Sequence, residues 1–434
     1  MTPYQRYQIA EQHINEGLIR MNISAARPEG YVKNPQHRMD AMAAFLKTCG
    51  NPQSGIPAIH VTGTSGKGSV CAAIAGILKT AGLKVGLHVS PYMQSATEKI
   101  WIDGRYVSAT QFADLVDWIM PKAKPLRVPE TPASIHGMAS VAIAFEAFRR
   151  AHVDVMIFEA GCGGRYDLTS FMDTSVAVIT NVGLDHVVSL GPTIKDIAWH
   201  KAGIARQHTP LITGAGGDAL TVIQQEAHLL NSPLQIVSFR GTATAHNDAL
   251  AAAAAATFMN RRHTPLSDDI IQTGIRSVRL PGRFEQVRDD RATVFIDGAH
   301  NADKLTAAVS HVVTKFPNER RVAVVGLLGT KAEPKTIAPI IGHFDTIIAT
   351  QPNVYGKQAF PAAETAALFC RECEEQPLVY PNPEDAVNAA VDAAQGGVVL
   401  ICGSFYLCGE LRNRWFAKQD VVLQQNSWPD TPTN

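Results

Sequence analysis

No run in this chain approaches the length of a membrane span, and neither sign of charge prevails. Lysine plus arginine total 39 and aspartate plus glutamate total 39, so nothing points to a surface built for a polyanion. A nucleic-acid partner is therefore not expected, and neither is a membrane. Behind Met1-Thr2-Pro3-Tyr4-Gln5-Arg6 no apolar signal-peptide core follows. Cysteine is scarce and odd in number, seven in 434 residues, which argues against a disulfide framework and fits a reducing, cytoplasmic setting. Cys370-Arg371-Glu372-Cys373 is a lone CxxC on an expected helix. With no second pair and no histidine nearby, it reads as incidental rather than as a metal or redox site.

What is present begins with Ala58-Ile59-His60-Val61-Thr62-Gly63-Thr64-Ser65-Gly66-Lys67-Gly68-Ser69-Val70. A β-branched apolar run enters a glycine-rich turn, and the helix-forming stretch Cys71–Lys79 follows. Strand, glycine loop, helix is the context in which backbone N–H groups and a helix N-terminus converge on a phosphate. Lys67 is placed to reach outer phosphates, and the Ser69 hydroxyl to ligate Mg²⁺. The spacing departs from Walker A. Gly63 stands three residues before Gly66 rather than five, and Gly68 separates Lys67 from Ser69. A plain glycine-rich turn is the bland alternative.

A chain of 434 residues is too long for one ordinary core and suggests two or three domains. Helical pieces are expected at His13–Met21 and His37–Cys49 around an Arg27–Pro35 loop. Strands are expected at Lys84–Val89, Asp154–Glu159 and Ser175–Thr180, with a hairpin strand at Glu98–Gly104. Residues 109–119, 132–149 and 246–261 carry helical spacing. Near Leu280-Pro281-Gly282-Arg283 the pattern restarts with strands Ala292–Ile296, Val322–Val325, Thr346–Ala349 and Val398–Ile401. Helices are expected between them at Lys304–Lys315, 335–341, 362–374 and Pro383–Ala394. Alternating strands and helices predict α/β domains with parallel sheets covered on both faces. The boundary is placed at about 280, giving domains 1–280 and 281–434.

Ligands in such sheets sit at the carboxyl ends of strands. Gly63, Glu159 and His186 each follow a different strand. A hydroxyl (Ser69), a carboxylate (Glu159) and an imidazole (His186) beside phosphate oxygens form a plausible Mg²⁺ set, although a lone histidine is more often structural. Lys201, read alone, is a surface helix residue. In the second half, strand Val294–Ile296 ends in Asp297-Gly298-Ala299-His300-Asn301, groups suited to hold substrate or phosphate, or alternatively an Asx-type turn. Arg283 is placed to clamp a phosphate.

These residues resemble the folylpolyglutamate synthase and dihydrofolate synthase family of the Mur ligase superfamily. Gly63-Thr64-Ser65-Gly66-Lys67-Gly68-Ser69 is similar to that family's phosphate loop, and Ser90-Pro91 and Glu98-Lys99-Ile100 to the segments after it. Glu159-Ala160-Gly161-Cys162-Gly163-Gly164-Arg165-Tyr166-Asp167 resembles its Glu-x-Gly-x-Gly-Gly-Arg-x-Asp. Thr180–His186, Lys201–Ile204, Asp297–Asn301 and Gly403–Leu407 also correspond. The resemblance implies a P-loop parallel-sheet ATP-binding domain of Mur central-domain type, followed by a smaller Rossmann-like α/β domain that takes the amino acid.

The implied activity is ATP-dependent addition of L-glutamate to a folate-like carboxylate acceptor through an acyl phosphate, by a monomer. Lys67 and the loop amides of Gly63, Thr64, Ser65, Gly66 and Gly68 would hold ATP. Ser69, Glu159, His186 and a carbamylated Lys201 would hold Mg²⁺. Asn247, Arg283 and Asp297 would meet the nucleotide. Asp297 and His300 would lie at the reaction centre, with Ser404 against the incoming amino acid.

Several positions depart from the family. Tyr92-Met93 stands where His-Leu is common after Ser-Pro, and Ser95-Ala96-Thr97 replace an aromatic. Ser134-Ile135-His136-Gly137-Met138-Ala139 replaces a Phe-Glu helix start, and His200 stands where Glu usually precedes the lysine. The first two changes fall where the resemblance puts the pterin-bearing acceptor. An unusual folate form, or a non-folate acceptor of a Mur-type ligase, stays open. A nucleotide-binding regulatory protein without ligase activity is the alternative from another class.

Overall fold

A computed structural model describes residues 1–18, 34–126, 134–238, 241–354, 357–370 and 376–430. The described chain divides into two compact units: Met1–Ser90 with Ala96–Leu280, and Pro91–Ser95 with Pro281–Asn434.

The first unit is built on eight strands: β1 Pro57–Thr62, β2 Val85–His88, β3 Ile100–Ile102, β4 Arg105–Tyr106, β5 Val155–Glu159, β6 Asp173–Ile179, β7 Leu211–Thr213 and β8 Leu234–Ile236. Their order across the sheet is β4-β3-β2-β5-β1-β6-β7-β8. From β2 to β8 all neighbours are parallel, and only the β2-β3-β4 edge is antiparallel. Central strands are buried along their length: Ala58, Ile59 and Val61 of β1 and Val155–Phe158 of β5 are all inaccessible. Such strands read as continuous apolar runs because helices cover both faces.

The helix Lys67–Thr80 is apolar on every side and buried from Val70 to Leu78. It is lined by helices Ala243–Asn260 and Asp268–Ser277 as well as by the sheet. The approach to Asp268–Ser277 is a backbone contact, since a β-carbon on Gly76 would collide with the carbonyl of Gly274. No larger residue fits there.

The second unit carries β9 Glu285–Val287, β10 Thr293–Ile296, β11 Arg321–Val325, β12 Thr346–Ala349, β13 Leu378–Val379 and β14 Val398–Cys402, in the order β13-β12-β11-β14-β10-β9. All pairs are parallel except β9 with β10. Apolar clusters lie on both faces, one around Val294, Val387 and Leu411 and one around Phe295, Leu305 and Phe369.

The longer expected elements coincide with observed ones within a few residues. The helix expected from His13 is instead a π-helical turn, His13–Gly17, continuing a helix Pro3–Gln12 that the pattern did not reveal. That helix is polar, with only Tyr7 and Ala10 buried. The rest of His13–Met21 and most of the Arg27–Pro35 loop lie outside the described residues, as do Arg371, Glu372 and Cys373 of the CxxC. Strands β7 and β8, the helices Ile194–Ala202, Gly217–Leu229 and Asp268–Ser277, and strands β9 and β13 are additions to the expected list. Among the described residues no helix is long and apolar enough to cross a membrane.

Candidate active site

The register of the first sheet aligns the expected groups. Val61 pairs with Glu159 on one side of β1, and Thr62 pairs with Ile179 on the other. Gly63, Glu159 and Thr180 therefore leave the sheet side by side at its carboxyl edge. The chain goes from β1 to one side of the sheet, returns as β5 and crosses to β6 on the other, so this edge is also where the strand order reverses.

The phosphate loop is held by its neighbours. Gly66 is the N-cap of helix Lys67–Thr80 at φ 78°, a left-handed conformation suited to glycine. A β-carbon there would also strike the Asn247 side chain, which projects from helix Ala243–Asn260. Thr64 and Ser65 donate their N–H groups to Asn181 Oδ1 at 3.1 and 2.9 Å. The Thr180 hydroxyl donates to the carbonyl of Ser65 at 2.6 Å. Lys67 Nζ donates to the Gly63 carbonyl at 3.0 Å, which keeps its ammonium inside the curl of the loop. Ser69 is half-buried in the first helical turn. Thr180 and Asn181 open the Thr180–His186 stretch that the resemblance covers, but no role was expected for either. A polar pair directly after a buried strand was the available signal.

Glu159 is buried at the end of β5, and its Oε2 accepts the N–H of Ser90 at 2.9 Å. The turn after it is fixed by Asp167, whose Oδ2 accepts from Cys162 N at 3.0 Å and whose Oδ1 accepts from Thr169 Oγ1 at 2.6 Å. A β-carbon on Gly164 would meet the carbonyls of His200 and Lys201, so the end of helix Ile194–Ala202 lies against this turn. Lys201 sits in the last turn of that helix and is 3% exposed, which corrects its reading as a surface residue. His186 has φ 52° and an exposed side chain, with Asp185 Oδ2 3.9 Å from its Nε2. Among the described residues no three His, Cys, Asp or Glu side chains form a metal-binding group. A Mg²⁺ ion beside phosphates needs only one or two carboxylates and keeps waters, so the Glu159 carboxylate and the Ser69 hydroxyl are oxygen donors of the kind it takes.

In the second unit Asp297 directly follows β10. Its Oδ2 accepts from Phe284 N and its Oδ1 from Ala299 N, both at 2.8 Å. Burial pushes its pKa up, with Arg283 and those N–H groups pulling the other way. Arg283 lies over the Phe405 ring at 4.6 Å. His300 Nδ1 lies 2.7 Å from the Gly298 carbonyl, and its Nε2 lies 3.2 Å from Lys304 Nζ. Burial first, then Lys304, lowers the pKa of His300 to about 3. Ser404 is buried and caps helix Phe405–Arg412 by accepting Tyr406 N at 3.2 Å, so part of its hydrogen-bonding capacity is structural.

The departures after Ser90 also have a packing component. Met93 is buried in the core of the second unit. Gln94 accepts from Arg412 Nη1 and donates to Asn413 Oδ1 and the Phe416 carbonyl at 3.1 and 2.7 Å. Arg412 is itself fully buried, paired with Glu285 Oε1 at 2.8 Å.

A parallel sheet whose carboxyl edge carries a glycine phosphate loop, and a second sheet with an Asp–His strand end, are the parts of a Mur ligase, a class of ATP-dependent amide-forming enzymes. Residues 61–286 match the Mur ligase middle domain, and residues 282–405 match the Mur ligase, glutamate ligase domain. The chain is 30% identical over 409 residues to the dihydrofolate synthase/folylpolyglutamate synthase of Bacillus subtilis, covering 86% of this chain and 94% of that protein.

It is also 30% identical over 425 residues to a probable bifunctional folylpolyglutamate synthase/dihydropteroate synthase of Halobacterium salinarum. That match covers 89% of this chain and spans about half, 51%, of the relative. Among solved structures, Mycobacterium tuberculosis folylpolyglutamate synthase complexed with ADP superposes with a TM-score of 0.83 at 26% identity, covering 94% of this chain and 99% of that one. The chain belongs to the folylpolyglutamate synthase/dihydrofolate synthase family of Mur ligases.

Proposed function

We propose that this chain, as a monomer, joins L-glutamate to a folate-type carboxylate at the expense of ATP. The observation that carries the reading is the alignment of the phosphate loop, Glu159 and Thr180-Asn181 along one sheet edge, fixed by the register of three adjacent strands. The acceptor carboxylate attacks the γ-phosphorus of ATP, ADP leaves, and an acyl phosphate forms. The amine of glutamate then attacks the acyl carbon and inorganic phosphate departs.

The amides of Gly63–Ser69 and the Lys67 ammonium hold the phosphates and offset the charge that develops during transfer. Asn247 and Arg283 serve the nucleotide, and domain 1–280 also carries the acceptor. Ser69, Glu159 and His186 would hold Mg²⁺, which when bound supplies charge stabilisation to phosphate oxygens. Lys201 is buried in the last turn of helix Ile194–Ala202, and as a carbamate it would add a carboxylate to the metal set. Domain 281–434 supplies Asp297, His300 and Ser404 for the incoming amino acid.

The replaced residues Tyr92-Met93 and Ser95-Ala96-Thr97 favour a second reading, a Mur-type ligase with a non-folate acceptor. Phosphate release and product mass, measured with pteroate, dihydropteroate or tetrahydrofolate plus glutamate, separate the two. A glutamate-dependent amide product with one of these acceptors is expected. ATP turnover that none of them stimulates rejects the folate reading. Turnover that survives Asp297→Asn with no amide formed would indicate a nucleotide hydrolase instead.

A further inference from the structure

One contact in the second unit has chemistry that the phosphate and amino-acid roles do not use. Lys304 stands in the first turn of helix Ala302–Lys315, and its Nζ is 3.2 Å from His300 Nε2. Both groups are cations when protonated, so only one proton arrangement makes the contact favourable. The ammonium donates and Nε2 presents its lone pair. The other ring nitrogen agrees, because the Gly298 carbonyl 2.7 Å from Nδ1 can only accept, and Nδ1 must carry the hydrogen. The network thus assigns a neutral imidazole, engaged at both nitrogens. A cation in the first turn of a helix opposes the helix dipole. Lys304 also shares the neighbourhood of Lys331 and Arg283. Neither feature favours a lysine here for stability, and what the side chain does supply is the contact with His300 Nε2.

We propose that Lys304 is a positioning residue for His300: it occupies the Nε2 lone pair, keeps a proton off that nitrogen and prevents it from acting as a general base. This rests on the reading of His300 as a reaction-centre group. The charged groups that face the imidazole come from several elements. They are Lys304 on the following helix, Lys331 on the turn Gly329–Lys331 and Arg283 before β9. The Asp297 carboxylate directly follows the strand that leads to His300. Phe405, from helix Phe405–Arg412, presents an uncharged ring at 6.3 Å. Burial and the three cations outweigh the Gly298 carbonyl, which favours the imidazolium. With the imidazole neutral, positive charge at this strand end resides on Lys304 and Arg283, and the incoming amine does not meet a competing imidazolium.

The test uses the full chain with ¹⁵N-labelled histidine, the His300 signals being identified by their loss in His300→Gln. From about pH 8 to about pH 5, wild-type His300 is expected to keep the neutral Nδ1–H pattern, with Nε2 hydrogen-bonded. In Lys304→Met its titration midpoint is expected to be higher by about one pH unit, with the Nε2 resonance moved toward that of an unbonded nitrogen. Lys304→Arg is expected to restore the wild-type pattern. Lys304→Gln, which keeps a donor without the charge, is expected to give an intermediate midpoint and serves if the methionine variant does not fold. Identical His300 shifts and titration in Lys304→Met or Lys304→Gln and in wild type overturn the proposal, whatever happens to turnover. Because the readout is the ring and not the product, a failed acceptor screen does not touch it.

Discussion

His88 ends β2 inside the first unit, 4% exposed, stacked on Phe158 with ring centroids 4.8 Å apart, and among the described residues its Nδ1 has no hydrogen-bond partner. Burial first, with Lys99 adding to it, lowers its pKa from 6.5 to about 3. The folded protein therefore keeps this ring neutral, while the unfolded chain takes up a proton as pH falls through 6.5. The folded-state value is the depressed one, so the unfolded state binds more protons between the two values. Stability is full above the upper value and is lost on acidification toward the lower.

At about pH 5 the unfolded ring lies roughly 1.5 pH units below its midpoint, which at about 1.4 kcal/mol per unit amounts to about 2 kcal/mol lost relative to about pH 7.5. His88→Phe and His88→Leu remove that proton uptake. Either change also alters packing, but a packing cost is the same at both pH values and cancels when the difference between them is taken. Urea unfolding of wild type and both variants at the two pH values is the assay. Each variant is expected to lose about 2 kcal/mol less than wild type on acidification. An unchanged pH dependence in both variants would falsify the neutral-burial argument for His88.

Two further outcomes follow from the geometry. Gly66→Ala forces a side chain into a left-handed position at φ 78° and against Asn247. ADP binding measured by calorimetry is expected to weaken at least tenfold, about 1.4 kcal/mol, with the fold retained by circular dichroism. Binding within twofold of wild type would show that the loop conformation is not what holds the phosphates. Arg412→Met leaves Glu285 buried without its cation and strips Gln94 and the Ser427 carbonyl of a donor. Removing one partner of a buried pair costs roughly 3–5 kcal/mol, so a large loss in thermal midpoint is expected, and a loss of under about 1 kcal/mol refutes the pairing.

The legible parts of the sequence were those where one physical signal acted alone. Central strands such as Val155–Glu159 are buried on both faces, so they appear as unbroken apolar runs, and the groups at their ends announce the site. The strand Leu234–Ile236 has three residues, half-buried or exposed, at the sheet edge, and its pattern is too short to register. Helix Pro3–Gln12 buries two side chains, so its polar face hides its period. Lys201 illustrates a different limit. A lysine carries the sequence signature of a surface residue, and only the packing of helix Ile194–Ala202 against the turn after Glu159 puts it inside. Asn181 and Lys304 escaped for the same reason, since their importance lies in partners distant in sequence or folded back by a turn.

The segment Pro91–Ser95 groups with residues 281–434, although it lies within the first 280 residues. The chain thus passes from one unit to the other at three peptide junctions, and neither unit is a continuous stretch of polypeptide. A fragment beginning at Pro281 would be made without Gln94 and Met93, leaving one Arg412 donor and one core position unfilled. The complementary fragment would carry that short segment with its native partners missing. The second unit is therefore completed by five residues synthesised long before the rest of it, and its folding is tied to a piece of chain already committed elsewhere. Cutting this gene at the obvious boundary would yield two incomplete products.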